Sequence, residues 1–271
     1  MGNLLLLDWS LVGISIGLFI GLVLAVTGAG GSILAIPLLM LGFNLSFTQA
    51  APIALLAVMM ASIVGTIQGL RLRLVRYKTA LLIASFGIVL APVGVWIAGY
   101  APNQMLRFIF AVVLLALAWH MWRQTIIVKP NNQDPEDAPC MQNKVTSQLH
   151  WTAICTRRLI ATGAITGFIS GLLGVGGGFL IVPSLQKVSN FSMQTIVATS
   201  LMTVVLVSIA SIVSYSVAAP LPWNIALPFA LSTMLSLLIF SRFSHKLPTK
   251  ISQRVFAVLA VLAALLTLLN H

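Results

Sequence analysis

Thr27-Gly28-Ala29-Gly30-Gly31-Ser32 and Gly174-Val175-Gly176-Gly177-Gly178 each interrupt a run of apolar residues, and each is followed by a proline, Pro37 and Pro183. Gly174 lies 146 residues after Gly28, and Gly176, Gly177 and Pro183 keep the same 146-residue distance from Gly30, Gly31 and Pro37. Hydrophobic segments broken by Gly and Pro at matching places in two halves of a chain point to the binding region of a membrane transporter.

The offset extends beyond the breaks. Gly17 and Gly21 fall on Gly163 and Gly167, Asn44 and Ser46 on Asn190 and Ser192, Ser62 on Ser208, and Pro102 on Pro248, with no gap required. Apolar matches arise easily by chance, whereas matched Gly, Pro, Asn and Ser do not. The chain therefore reads as a duplication, with repeats at 1–128 and 157–271 and a polar linker at 129–156.

Composition fixes the solvent. Of 271 residues, 59% are apolar and 7% charged, more apolar surface than a soluble domain can hide. The net charge of +11 comes from 15 Lys and Arg against 4 acids. These bases gather between apolar segments, where they set topology and meet membrane lipid, and no nucleic-acid-reading motif accompanies them. The N-terminal stretch lacks the basic n-region of a signal peptide, since the first base is Arg71.

Each half reads as a broken segment (11–41 and 159–186) followed by three spans, at 50–70, 79–100 and 105–127, then 193–218, 225–241 and 251–269. These spans hold 17 to 26 residues, enough at 1.5 Å per residue to cross a hydrocarbon layer of about 30 Å. The short pieces beyond the glycines suit a re-entrant hairpin or a discontinuous helix. Arg71, Arg73, Arg76 and Lys78 crowd one loop, while its counterpart in the second half, 218–223, has no charge. Conversely, Arg242, Lys246, Lys250 and Arg254 bracket Pro248, whereas Arg107 alone stands near Pro102. This swap predicts an all-α polytopic membrane protein of two inverted-topology repeats, with the linker cytoplasmic and both termini outside. Cys140 and Cys155 lie in or beside the linker without CxxC spacing, and read as idle thiols.

In lipid, irregular backbone must be buried in protein or line a polar cavity. Glycine allows positive φ there, and the helix after each break aims its free N–H groups and positive dipole end inward, which suits an anion. The expected substrate-binding set is Gly28, Gly30, Gly31 and Ser32 in the first half. In the second it is Gly174, Gly176, Gly177, Gly178, Thr199 and Ser200. The competing role for such glycines is close helix packing. Asn44-Leu-Ser46 and Asn190-Phe-Ser192 read as helix caps, and Ser46-x-x-Gln49 has capping-box spacing. His120, flanked by Trp119 and Trp122, reads as part of an interfacial belt. No Asp or Glu falls inside a span, so a carboxylate proton relay has no candidate. Nothing asks for a metal or cofactor, and either a proton or a sodium ion is left to serve as coupling ion.

The stretches Gly17 to Pro37 and Gly163 to Pro183, with Ala198-Thr199-Ser200-Leu201, resemble the TauE/SafE sulfite exporter family, also called TSUP. The resemblance spans nearly the whole chain outside the linker. It implies a multi-pass transporter of the bacterial inner membrane exporting small sulfur oxoanions or organosulfonates. The inverted repeats read from the swapped charge bias predict alternating access, with one repeat rocking against the other around the paired glycine breaks. The first break, Thr-Gly-Ala-Gly-Gly-Ser, is leaner than the second. A passive anion channel or a non-transporting assembly partner are the alternatives. An enzyme is disfavoured: thiol-disulfide carriers need cysteines within the spans, and hydrolases need a nucleophile with a His or Asp partner.

Overall fold

The computed structural model describes residues 2–27, 32–126, 140, 152–218, 221–244 and 249–269. Ten helices account for nearly all of them: α1 (Gly2–Thr27), α2 (Ser32–Phe43), α3 (Phe47–Arg71), α4 (Tyr77–Tyr100), α5 (Asn103–Ile126), α6 (Ala153–Leu173), α7 (Gly178–Val188), α8 (Met193–Ala218), α9 (Trp223–Ser244) and α10 (Thr249–Leu269). Among the described residues α3, α4, α5, α8 and α9 are long and apolar enough to cross a membrane. The described apolar stretch of α10, Arg254–Thr267, is shorter. The protein is an all-α, multi-pass membrane protein.

Close approaches at glycines fix the helix directions. On α3, a Cβ at Gly65 would meet Leu201 and one at Gly69 would meet Ala198, so α3 and α8 run antiparallel. Gly163, Gly167 and Gly171 of α6 lie against the backbone of Ile83, Gly87 and Ala91 in the same order, so α4 and α6 run parallel. Gly17 of α1 abuts Phe229 and Ser232, and Gly21 abuts Thr233 and Ser236, so α1 and α9 also run parallel. Because α8 starts where α3 ends, α4 and α9 point in opposite directions, and with them α6 and α1. The first helix of each half thus lies on a helix of the other half, in opposite senses. The glycine pairs matched in sequence do matched work here, letting backbones touch where any side chain would hold them apart.

Local signals explain the helix ends. Ser46 N donates to Gln49 Oε1 at 3.2 Å, the reach-back half of the expected capping box. Thr195 N donates to Ser192 Oγ at 3.4 Å at the start of α8. After α3 the chain turns through Arg73 at φ 55°, with Leu74 N donating to Gly69 O at 2.9 Å in a Schellman-type closure. Helix α6 begins at Ala153, earlier than the apolar pattern suggested, because Thr152 caps it through Cys155 N at 3.1 Å. Arg157 and Arg158 in its first two turns had masked that start.

One expectation is overturned. Cys140 and Cys155 are not idle thiols but a disulfide across 15 residues. Cys140 N donates to Val188 O at 3.0 Å, which brings this linker residue to the end of α7 beside the start of α6. Both cysteines are buried with Leu159, Ile181, Leu185 and Phe191. The bond sits on the face where Arg71, Arg73, Arg76, Lys78, Arg157 and Arg158 gather, since α4 and α6 start together. This end of the molecule is the basic face.

Candidate functional site

Helix α6 rises from the basic face, and α7 returns to it, as its contact with Cys140 shows. The reversal is made by Gly174, Gly176 and Gly177, at φ 69°, 72° and 69°. Three left-handed residues within four positions would strain any L side chain, which is why the turn is written in glycine. Gly174 ends α6, its N–H donating to Ser170 O at 2.9 Å. Gly177 caps α7, and its carbonyl accepts from Leu180 N at 3.0 Å and Ile181 N at 3.3 Å. The N–H groups of Gly178 and Phe179, in the first turn, have no acceptor within the helix and face out of its positive end.

The turn is buried where three helices meet. A Cβ at Gly176 would stand 3.1 Å from a Val58 methyl, 3.3 Å from a Val204 methyl and 3.5 Å from Ser208 Oγ. One at Gly177 would stand 3.1 Å from Thr166 O, in the second half of α6. Val58 and Val204 lie near the middle of α3 and α8, so the break sits at mid-depth, where irregular backbone is tolerated only inside protein.

Hydroxyls in this bundle mostly spend their proton on a carbonyl one turn back: Thr166 on Thr162 O, Thr203 on Thr199 O, Ser211 on Val207 O, Thr233 on Phe229 O. Four buried side-chain oxygens on α3, α6 and α8 depart from that habit. Ser62, Thr66, Ser170 and Ser208 have no hydrogen-bond partner, although Ser62 is 1% exposed and Ser170 and Ser208 are fully buried. Ser62 and Ser208 occupy the same place in the two repeats. A buried hydroxyl without a partner costs stability, so Ser208 beside the break, with Ser62 at the matching place on α3, points to a ligand.

The structure gathers the expected residues unevenly. Gly174, Gly176, Gly177 and Gly178 form the turn and the helix start. Thr199 and Ser200 stand two turns or more along α8 from Ser208, towards the basic face. Thr199 Oγ1 accepts from Arg76 N at 3.1 Å and donates to Thr195 O, pinning the turn between α3 and α4, and Ser200 Oγ donates to Val197 O. Gly28, Gly30 and Gly31 lie outside the described residues, and so does the side chain of Ser32, the first residue of α2. Ser170 and Thr66 were not singled out in the sequence, which shows a hydroxyl but not whether the preceding carbonyl takes its proton. Tyr215 is a further addition: its buried hydroxyl donates to Gly171 O at 2.8 Å, satisfying a last-turn carbonyl of α6 just ahead of the break. Among the described residues no cluster of His, Cys, Asp or Glu could hold a metal ion.

A helical bundle with long apolar spans and a buried, glycine-turned hairpin belongs to the class of multi-pass membrane proteins whose backbone is broken inside the bundle. Residues 13–267 match the family described as Sulfite exporter TauE/SafE, and the chain belongs to that family. It is 25% identical over 178 residues to a probable membrane transporter protein of Methanocaldococcus jannaschii, covering 64% of this chain and 60% of that one. It is 24% identical over 180 residues to a probable membrane transporter protein of Bacillus subtilis, covering 66% of this chain and 68% of that one. No solved structure matches the chain.

Proposed function

We propose that this transporter carries a small anion, a sulfur oxoanion or organosulfonate, across the bacterial inner membrane, outward, and performs no catalysis. The observation that carries the reading is Ser208 Oγ, buried without a partner beside Gly176 and matched by Ser62 in the other half. The N–H groups at the start of α7 are donors, and this hydroxyl has an uncommitted proton to donate, the chemistry an anion needs. The basic face is cytoplasmic in this proposal, and the excess of Lys and Arg in its loops supports that side. Access alternates as the glycine turn and the short α7 shift against the crossing of α3 and α8, opening the site to one side and then the other.

The test is efflux of labelled sulfite from proteoliposomes, for the native protein and for Gly176→Leu. Saturable efflux that Gly176→Leu abolishes, with that variant still inserted in the membrane, supports the proposal. Equal efflux from both sinks the site. Imposing pH or sodium gradients in the same assay identifies the driving ion, and indifference to both marks a facilitator.

A further inference from the structure

We infer that the site accepts its anion only in a singly charged form, so that for an acid such as sulfite the coupling proton travels on the substrate. The inference rests on the anion reading above and adds the charge state.

Its ground is what surrounds the break. Helix α7 offers the N–H groups of its first turn, and Ser208 Oγ, fully buried and unpartnered, lies beside Gly176. Every one of these donors is a neutral dipole. Among the described residues, the side chains buried as a whole are apolar, hydroxyl-bearing or in the disulfide, while Arg107, in the first turns of α5, is partly buried with its Nε out of solvent. Along the chain the nearest charges are Arg158 and Lys187, and Lys187 stands nine residues beyond Gly178, about 13 Å at 1.5 Å per residue. Favourable energy from fixed dipoles grows in proportion to the ligand's charge, whereas the cost of removing an ion from water grows as its square. Doubling the charge doubles what the site returns and quadruples what dehydration takes. With neutral donors alone at the break, a site of this kind rejects the dianion.

The protein itself holds little that titrates nearby. On the elements packed against the hairpin, α3 ends in Arg71, α4 has Tyr77, Lys78 and Tyr100 at its ends, and α5 has Arg107 in its first turns with His120 and Arg123 towards its end. Arg157 and Arg158 open α6, Lys187 closes α7, and Cys155 is held in the disulfide. On α8 the titratable group is Tyr215, a phenol whose proton is engaged by Gly171 O. None of these is a carboxylate relay, so a pH dependence of transport follows the substrate's own ionisation.

Three probes separate the outcomes in proteoliposomes of the full chain, each flux corrected for protein-free vesicles. Methanesulfonate is singly charged throughout, sulfate is doubly charged, and sulfite passes from one charge to two across neutrality. Methanesulfonate flux is expected to stay level from mildly acid to mildly alkaline pH. Sulfite flux is expected to fall over that range with its singly charged fraction, and sulfate to run roughly tenfold or more below methanesulfonate. Sulfate flux equal to that of methanesulfonate, or sulfite flux that holds or rises with pH, overturns the inference while leaving an anion transporter. Absence of flux for all three overturns the anion reading and the inference together.

Discussion

Replacing Ser208 by Ala sets stability against function. The Ser208 hydroxyl is fully buried and has no partner, whereas Ser211, less than a turn further along α8, donates to Val207 O at 3.1 Å. A buried polar group left unsatisfied costs about 1–3 kcal/mol, so Ser208→Ala is expected to stabilise the ligand-free protein by an amount at the lower end of that range, since a small void replaces the oxygen. For a chain of this size 1 kcal/mol moves a melting midpoint by about 2–4 °C, upward here. The same substitution removes a donor to a charged ligand, about 1.5–3 kcal/mol, or roughly ten- to hundredfold in affinity. Ser211→Ala is the control: its proton already has an acceptor, so the midpoint holds or falls slightly and transport is kept. The assays are thermal unfolding of the purified protein in detergent and concentration-dependent sulfite flux in proteoliposomes. A lower midpoint with unchanged flux in Ser208→Ala would refute the reasoning, because it would mean that the hydroxyl serves the fold.

Other substitutions test the elements around the site. Gly167→Ala puts a methyl group 2.7 Å from the carbonyl carbon of Gly87, so α4 and α6 must separate, and the expected loss is about 1–3 kcal/mol in thermal unfolding. Tyr215→Phe leaves Gly171 O unpaired inside the bundle and lowers stability by about 1–3 kcal/mol, with normal membrane insertion. Cys155→Ser opens the 15-residue loop and removes about 3 kcal/mol, and reductant then has no further effect on the variant's midpoint. Cysteines placed at Arg73 and Thr249 are expected to react with an impermeant maleimide from the same side of the membrane, and labelling from opposite sides would overturn the inverted arrangement.

Much of the architecture was legible because it was written twice. Gly17, Gly21, Gly163 and Gly167 keep one offset, and the structure uses them for one purpose, the seating of α1 on α9 and of α6 on α4. The disulfide was not legible. Cys140 sits in a polar stretch without period, and its partner is defined only when the hairpin brings the end of α7 back to the start of α6. Thr199 and Ser200 drew attention as hydroxyls near the start of a span and through the family-like Ala-Thr-Ser-Leu stretch, and in the structure both hydroxyls have backbone partners towards the basic face. Ser62 and Ser208 were visible as a matched pair, but only the three-dimensional structure distinguishes a hydroxyl that bonds the previous turn from one that does not.

The glycines therefore fall into two physical classes that sequence alone merges. Gly163, Gly167 and Gly171 form a stripe on one side of α6, where the missing side chain admits the α4 backbone. Gly174, Gly176 and Gly177 are in the left-handed region, where the missing side chain admits a backbone conformation. The first class has a consequence for motion. Because α6 of the second half is seated on α4 of the first, and α1 of the first on α9 of the second, the two sequence repeats are interleaved rather than side by side. A movement of one whole repeat against the other would have to peel apart both contacts, the α4–α6 one a row of backbone-on-backbone approaches and the α1–α9 one made by backbone and the short Ser232 and Ser236 side chains. Displacing the short α7 and the glycine turn disturbs neither row. The hairpin tip is thus the cheapest piece of the fold to move, and it is the piece that carries the free N–H groups.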